Sequence, residues 1–136
     1  MGCVAPVEGT SGSIYGGASP NDNSGTIRYL QVRYPGFRVD TNNELNGITM
    51  AGVGGGTIFE NVQVHNSSDD GIEWFGGRVN GRNLVLTGND DDSLDVDSGF
   101  KAALQHIIVL QRTDGGDHIL EADSAGNDTR LPRTDV

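Results

Sequence analysis

A recurrence of short apolar-alternating runs constrains this chain more than any other feature. Leu30-Gln31-Val32, Val62-Gln63-Val64, Leu84-Val85-Leu86 and Ile107-Ile108-Val109 lie 32, 22 and 23 residues apart. A shorter run follows each one: Gly47-Ile48-Thr49-Met50, Gly71-Ile72-Glu73-Trp74, Ser93-Leu94-Asp95-Val96 and Ile119-Leu120-Glu121-Ala122, at steps of 24, 22 and 26. A weaker apolar column, Ile27, Ile58, Val79 and Ala103 or Leu104, precedes each long run. The apolar residues alternate with period two, and Gly, Asn, Asp and Ser punctuate the chain every 5 to 8 residues, so no helical pattern competes. Strands of one type are more than 20 residues apart, too far for hairpins. Each must stack on its equivalent in the next coil, which makes parallel sheets. With the usual right-handed crossover, the pattern predicts an all-β, right-handed parallel β-helix of about four coils of ~22–25 residues. At ~4.8 Å per coil it would be about 19 Å long.

The turn residues fit this plan. Glycine contributes 21 of 136 residues, about twice the ~7% average, and Gly54-Gly55-Gly56, Gly76-Gly77 and Gly99 fall together at one corner after the second strand. Asn61 and Asn83 each precede an inward apolar residue. Asparagine tolerates left-handed backbone there and can bond its copy one coil away, so an asparagine ladder closed by Tyr29 and His106 is expected. Residues 33–46 form a longer loop in the first coil. Residues 1–24 carry no repeat register and read as a cap or flexible lead-in, with the β-helix domain spanning 25–136.

Nine Lys and Arg against 19 Asp and Glu give a net charge of -10. That field repels phosphate backbones, so nucleic acid and anionic membrane surfaces are poor partners. No apolar run approaches the ~18 residues of a membrane span, and no signal-peptide pattern opens the chain. The single cysteine, Cys3, cannot form an internal disulfide.

Several stretches taken together resemble a known group: Tyr15-Gly16-Gly17, Pro20-Asn21-Asp22-Asn23-Ser24-Gly25, Asn43-Glu44-Leu45-Asn46-Gly47-Ile48, Asp69-Asp70-Gly71-Ile72-Glu73-Trp74-Phe75-Gly76-Gly77, Asp91-Asp92-Ser93-Leu94-Asp95, and Glu121-Ala122-Asp123 with Leu131-Pro132-Arg133. The group is the uncharacterised right-handed β-helix proteins of bacteria, secreted or of lipoprotein type, similar to the pectate-lyase-like superfamily. The resemblance covers roughly residues 14–134 and implies a fold and an extracellular or cell-surface setting, not an activity. Those relatives run further at both ends, so the chain reads as an excerpt.

Alternation assigns chemistry to the outer face. If Ile48, Ile72, Leu94 and Leu120 point inward with Met50, Trp74, Val96 and Ala122, then Thr49, Glu73, Asp95 and Glu121 form one outer column. Ala51, Phe75, Asp97 and Asp123 form the next. Carboxylates ~4.8 Å apart repel by about 0.9 kcal/mol in water and about 3.5 kcal/mol at an effective dielectric of 20. Solvent, a raised pKa, the neighbouring Arg78 and Lys101, or a cation can relieve this. Ca²⁺ suits such oxygen donors, which makes Glu73, Asp95, Asp97, Asp90 and Asp91 candidate metal ligands, set against a solvated acidic face that keeps the sheet soluble.

Phe75, placed outward beside Glu73, is the candidate sugar-stacking surface, with Glu73, Asp95 and Asp97 beside it, whereas Trp74 belongs to the core. Asp69-Asp70 and Asp90-Asp91-Asp92 read first as turn formers at strand entrances. His65, His106 and His118 occupy different repeat positions and make no zinc set. Asn66-Ser67-Ser68 and Asn127-Asp128-Thr129 fit the glycosylation sequon, a pattern that also arises by chance.

The leading expectation is a non-enzymatic β-helix scaffold or carbohydrate- or surface-binding module with an acidic, Ca²⁺-binding face. The alternative is a fragment of a polysaccharide hydrolase or lyase using Glu73, Asp95, Asp91 and Asp92. Polysaccharide is the expected ligand, and homo-oligomerisation through exposed coil ends or sheet edges the expected association.

Overall fold

The computed structural model describes residues 4–41 and 43–123. Cys3, the Asn127 sequon and Leu131-Pro132-Arg133 lie outside the described residues. Four long strands, β3 (Thr26–Arg33), β7 (Ile58–His65), β9 (Gly81–Thr87) and β11 (Leu104–Leu110), stack in chain order into one parallel sheet. Four short ones, β6 (Ile48–Ala51), β8 (Ile72–Phe75), β10 (Leu94–Asp97) and β12 (Leu120–Ala122), stack into a second. With a strand of each sheet in every coil, the chain winds a parallel β-helix four strands deep, three full turns from first to last. The register follows the repeat, aligning Leu30, Val62, Leu84 and Ile107 in one sheet and Ile48, Ile72, Leu94 and Leu120 in the other.

Each long strand bends at one residue with left-handed backbone: Tyr29 (φ 56), Asn61 (φ 57), Asn83 (φ 54) and His106 (φ 57). Asn83 Nδ2 donates to Asn61 Oδ1 at 3.0 Å, and the His106 ring nitrogen Nδ1 meets Asn83 Oδ1 at 3.2 Å. The ladder therefore forms where the sequence placed it. The weaker apolar column is not a separate strand, because Ile27 and Leu104 belong to β3 and β11, ahead of the bend. Its member in β7 is Phe59, 2% exposed, rather than Ile58, 38% exposed. The bend makes the difference: the left-handed residue takes one position out of the alternation, so inward positions ahead of it shift phase.

The core lies in the middle coils. Trp74 points inward, is fully buried, and packs between Phe59 (ring centroids 6.3 Å) and Phe100 (5.8 Å). Side chains of this kind contribute about 1.5–3 kcal/mol each by burial. At the ends the same inward columns are open: Leu30 is 37% and Leu120 44% exposed.

Two non-repeating pieces complete the molecule. β1 (Val4–Pro6) and β2 (Ile14–Gly16) pair antiparallel, so the segment sketched as a cap or flexible lead-in carries regular structure. Its continuation is tied to a corner, where Gly55 N–H donates to Pro20 O (3.0 Å), Gly56 N–H to Asp22 O (3.1 Å), and Ser24 N–H to Thr57 Oγ1 (2.9 Å). The long first-coil loop contains a second antiparallel pair, β4 (Phe37–Asp40) and β5 (Asn43–Leu45), held by an Arg38–Glu44 ion pair at 2.7 Å. The two pieces meet at Gly9 (φ +66), where a Cβ would lie 2.4 Å from Leu45 Cδ2.

Candidate functional site

The register of the short sheet places Thr49, Glu73, Asp95 and Glu121 side by side on its outer face, with Ala51, Phe75 and Asp97 in the next column. Alternation alone makes this an open acidic stripe. The structure covers part of it: Glu73 is only 5% and Phe75 9% exposed. Tyr15 of β2 lies against Phe75 with ring centroids 5.9 Å apart, which removes Phe75 as an open sugar platform. Asn46, just after β5, donates from Nδ2 to Glu73 Oε2. The N-terminal strap and the first-coil loop thus pack over the column near its first-coil end.

Burial of like charges sets the electrostatics. The Glu73 carboxyl is pushed up to about 10, first by burial and then by the charges of Asp95, Asp70 and Glu8. Burial also lifts Asp70 to about 8, against the pull of a hydrogen bond from Asp92 N–H at 3.0 Å. Asp95 rises to about 6 through burial, against the pull of its hydrogen bond with Glu73. Asp69 rises to about 6 through burial and the charges of Glu44 and Asp91. Glu8 is raised by burial and by Glu44, and the Tyr15 phenol by burial and the nearby Asp97 and Glu73. The largest charge effects at Glu73 all come from other acids.

Two buried oxygens, Asp95 Oδ1 and Asn46 Oδ1, have no hydrogen-bond partner. Both are acceptors, and buried acceptors without a donor each cost about 1–3 kcal/mol. One ligand oxygen from each of Asp70, Glu73 and Asp95 lies within 4.8 Å of the others, and Asp69, Asp70 and Asp91 form an adjoining group by the same measure.

The expected ligands divide accordingly. Glu73 and Asp95 come together, and Asp91 joins the adjoining group. Asp90 turns away to Arg112 (2.9 Å), and Asp97 Oδ1 accepts its neighbour Ser98 N–H. Asp92 is buried and accepts from His118 N–H at 2.6 Å, with His118 Nδ1 at 3.1 Å. His118 and Glu121 form a further group with Asp92. The other two histidines lie elsewhere, His65 on Thr87 (2.7 Å) and His106 in the ladder. Asp70 serves its turn, accepting Asp92 N–H at 3.0 Å, and is also a member of the central group. Asp69-Asp70 and Asp91-Asp92 recur 22 residues apart, and that spacing was the signal that they stack.

Beside the cluster, the strap and the glycine corner enclose a cleft of about 850 Å³ whose walls include Tyr15, Phe75, Ser98, Arg78 and Lys101. Gly77 (φ +81) makes this corner possible, since a Cβ there would sit 2.6 Å from Val53 O.

Stacked parallel sheets, a bend ladder and an outer acid column define a parallel β-helix domain. The chain belongs to the pectate-lyase like beta helix domain family, whose model matches residues 5–134. No curated protein and no solved structure matches it.

Proposed function

We propose that this domain is a non-enzymatic scaffold and binding module whose covered acid cluster holds a divalent cation, with Ca²⁺ the best-suited ion. One observation carries the reading: Asp70, Glu73 and Asp95 bring ligand oxygens within 4.8 Å of one another, Asp95 Oδ1 is buried without a donor, and so is Oδ1 of Asn46, the residue that donates to Glu73. All these donors are hard oxygens, the set Ca²⁺ takes at 2.3–2.6 Å. Asp70, Glu73 and Asp95 would hold the ion, whose positive charge would offset the repulsion among them. The adjoining cleft, with Arg78 and Lys101 on its wall, offers space for a carbohydrate.

The hydrolase or lyase alternative fits less well. Glu73 and Asp95 do bring two carboxyls together, but a carboxyl 5% exposed beneath a packed strap has no room for a glycosidic bond.

Calorimetry and thermal melting of EDTA-treated protein test the reading. Millimolar Ca²⁺ should release or absorb heat and raise the melting temperature, and Asp70→Asn with Asp95→Asn should abolish both effects. Reducing-sugar and unsaturated-product assays on acidic polysaccharides should stay flat with and without Ca²⁺. Absence of any heat or shift at 10 mM Ca²⁺ would sink the cation site, and turnover lost in Asp95→Asn would overturn the scaffold in favour of the enzyme.

A further inference from the structure

The outer face of the long sheet carries chemistry that the acid cluster does not use. A shallow groove of about 770 Å³ follows the line of left-handed bends across β3, β7 and β9. Tyr29, Asn61 and Asn83 line it at the bends and, two residues further along each strand, Gln31, Gln63 and Val85. None of its lining residues belongs to the strap or to the β4–β5 pair, and none is charged, in a chain whose net charge is -10.

Two amide ladders run along this groove. Asn83 Nδ2 donates to Asn61 Oδ1 at 3.0 Å, and Gln31 Nε2 donates to Gln63 Oε1 at 2.9 Å. Each ladder leaves groups over: Gln31 Oε1, Gln63 Nε2 and Asn61 Nδ2 have no hydrogen-bond partner among the described residues. A primary amide is donor and acceptor at once, so the groove presents a neutral donor and acceptor set repeated at the ~4.8 Å step between strands.

Tyr29 supplies an independent observation. Asn61 and Asn83 fill the same bend position with a residue type that tolerates left-handed backbone, whereas a bulky side chain at φ 56 is strained. Packing does not offset that strain, since Tyr29 is 83% exposed. A strained aromatic residue that adds nothing to the core fits a role toward a ligand.

These features select the ligand. The main-chain groups of β7 are engaged on both sides, by β3 and by β9, so an extended peptide laid across this face has no free edge to pair with. A charged polymer finds no counter-charge in the lining. A polyhydroxylated chain fits both conditions, because its hydroxyls can donate to and accept from the amides while the apolar face of a sugar ring lies on the tyrosine ring.

We propose that this groove binds an uncharged polysaccharide laid across the strands, with the Tyr29 ring as its stacking platform and Gln31, Gln63 and Asn61 as its hydroxyl partners. The site lies on the other sheet from the acid cluster and its cleft and needs no cation, so it stands or falls separately from the Ca²⁺ reading.

Affinity electrophoresis and calorimetry test it, with soluble xylan, glucomannan and mixed-linkage β-glucan as neutral probes and polygalacturonate as the charged one. At least one neutral probe should bind, equally in EDTA and in millimolar Ca²⁺. Tyr29→Asn is the decisive variant: asparagine relaxes the bend, so the melting temperature should hold or rise, yet the neutral probe should bind about tenfold more weakly. Gln63→Leu, which takes an amide out of the groove, should weaken it by a similar factor. Binding of polygalacturonate alone, no binding of any neutral probe, or affinity unchanged in Tyr29→Asn would each overturn the proposal. So would a neutral probe that requires Ca²⁺, which would move the ligand to the acid cluster, or a lower melting temperature in Tyr29→Asn, which would show that the ring serves the fold.

Discussion

Replacing Glu73 with Gln reads the free energy stored in the covered cluster. In the unfolded chain this carboxyl titrates near 4.5, whereas in the fold it is pushed up to about 10 by burial and by the charges of Asp95, Asp70 and Glu8. A folded pKa above the unfolded one means that the folded state holds the extra proton. Its stabilising contribution is therefore fully present below pH 4.5 and is lost progressively as pH rises toward 10. Each unit in that window costs about 1.4 kcal/mol, so by pH 7 the wild-type protein has lost roughly 3 kcal/mol at this one residue. Any folded value above about 8 gives the same figure, and at 5% exposure solvent screening does little to reduce it. Gln has nearly the same shape, keeps a donor toward Asp95, and is neutral at every pH. Urea denaturation of both proteins in EDTA, from pH 4 to 8.5, should give near-equal stability at pH 4 and a Gln advantage that grows to about 3 kcal/mol by pH 7. A difference that does not vary with pH, or a wild-type protein that gains stability on Gln between pH 5 and 8, would refute the reasoning.

Asn83→Ala should cost about 2–3 kcal/mol in the same urea experiment, because alanine disfavours the left-handed backbone (φ 54) and both ladder contacts, to Asn61 and His106, are lost; a cost below about 0.5 kcal/mol would show that the ladder is ornamental. Trp74→Ala should cost about 3–5 kcal/mol, enough to abolish cooperative melting by far-UV circular dichroism if the domain's total stability lies at the low end of the usual range. Tyr15→Ala removes the ring packed on Phe75 and should speed proteolysis within residues 4–24 several-fold while sparing the coils. Unchanged cleavage there, followed by mass spectrometry, would mean that the strap is anchored by its Pro20 and Asp22 contacts alone.

Much of the fold was legible before any coordinates. A 22-residue step between like runs leaves parallel stacking as the only way to pair such short strands, and period-two alternation then fixes which face each residue takes. That reasoning placed Glu73 beside Asp95 and set Asn61 against Asn83 without error. It failed at Ile58, because a left-handed bend takes a residue out of the alternation and period-two counting cannot see it. It also took Phe75 for an open surface.

The covering of Phe75 marks the boundary between sequence and structure in this protein. Repetition is a translation: once one coil is read, its neighbours follow by adding a constant, and an excess of Gly and Asp at the corners is consistent with that rule. The strap and the β4–β5 pair obey no such rule. Their position depends on the ring of Tyr15 meeting Phe75, on Gly9 allowing Leu45 to approach, and on backbone hydrogen bonds from Gly55 and Gly56. Only that packing decides that an outward carboxyl is buried, and burial is what converts a row of surface acids into a cluster whose carboxyls are pushed upward.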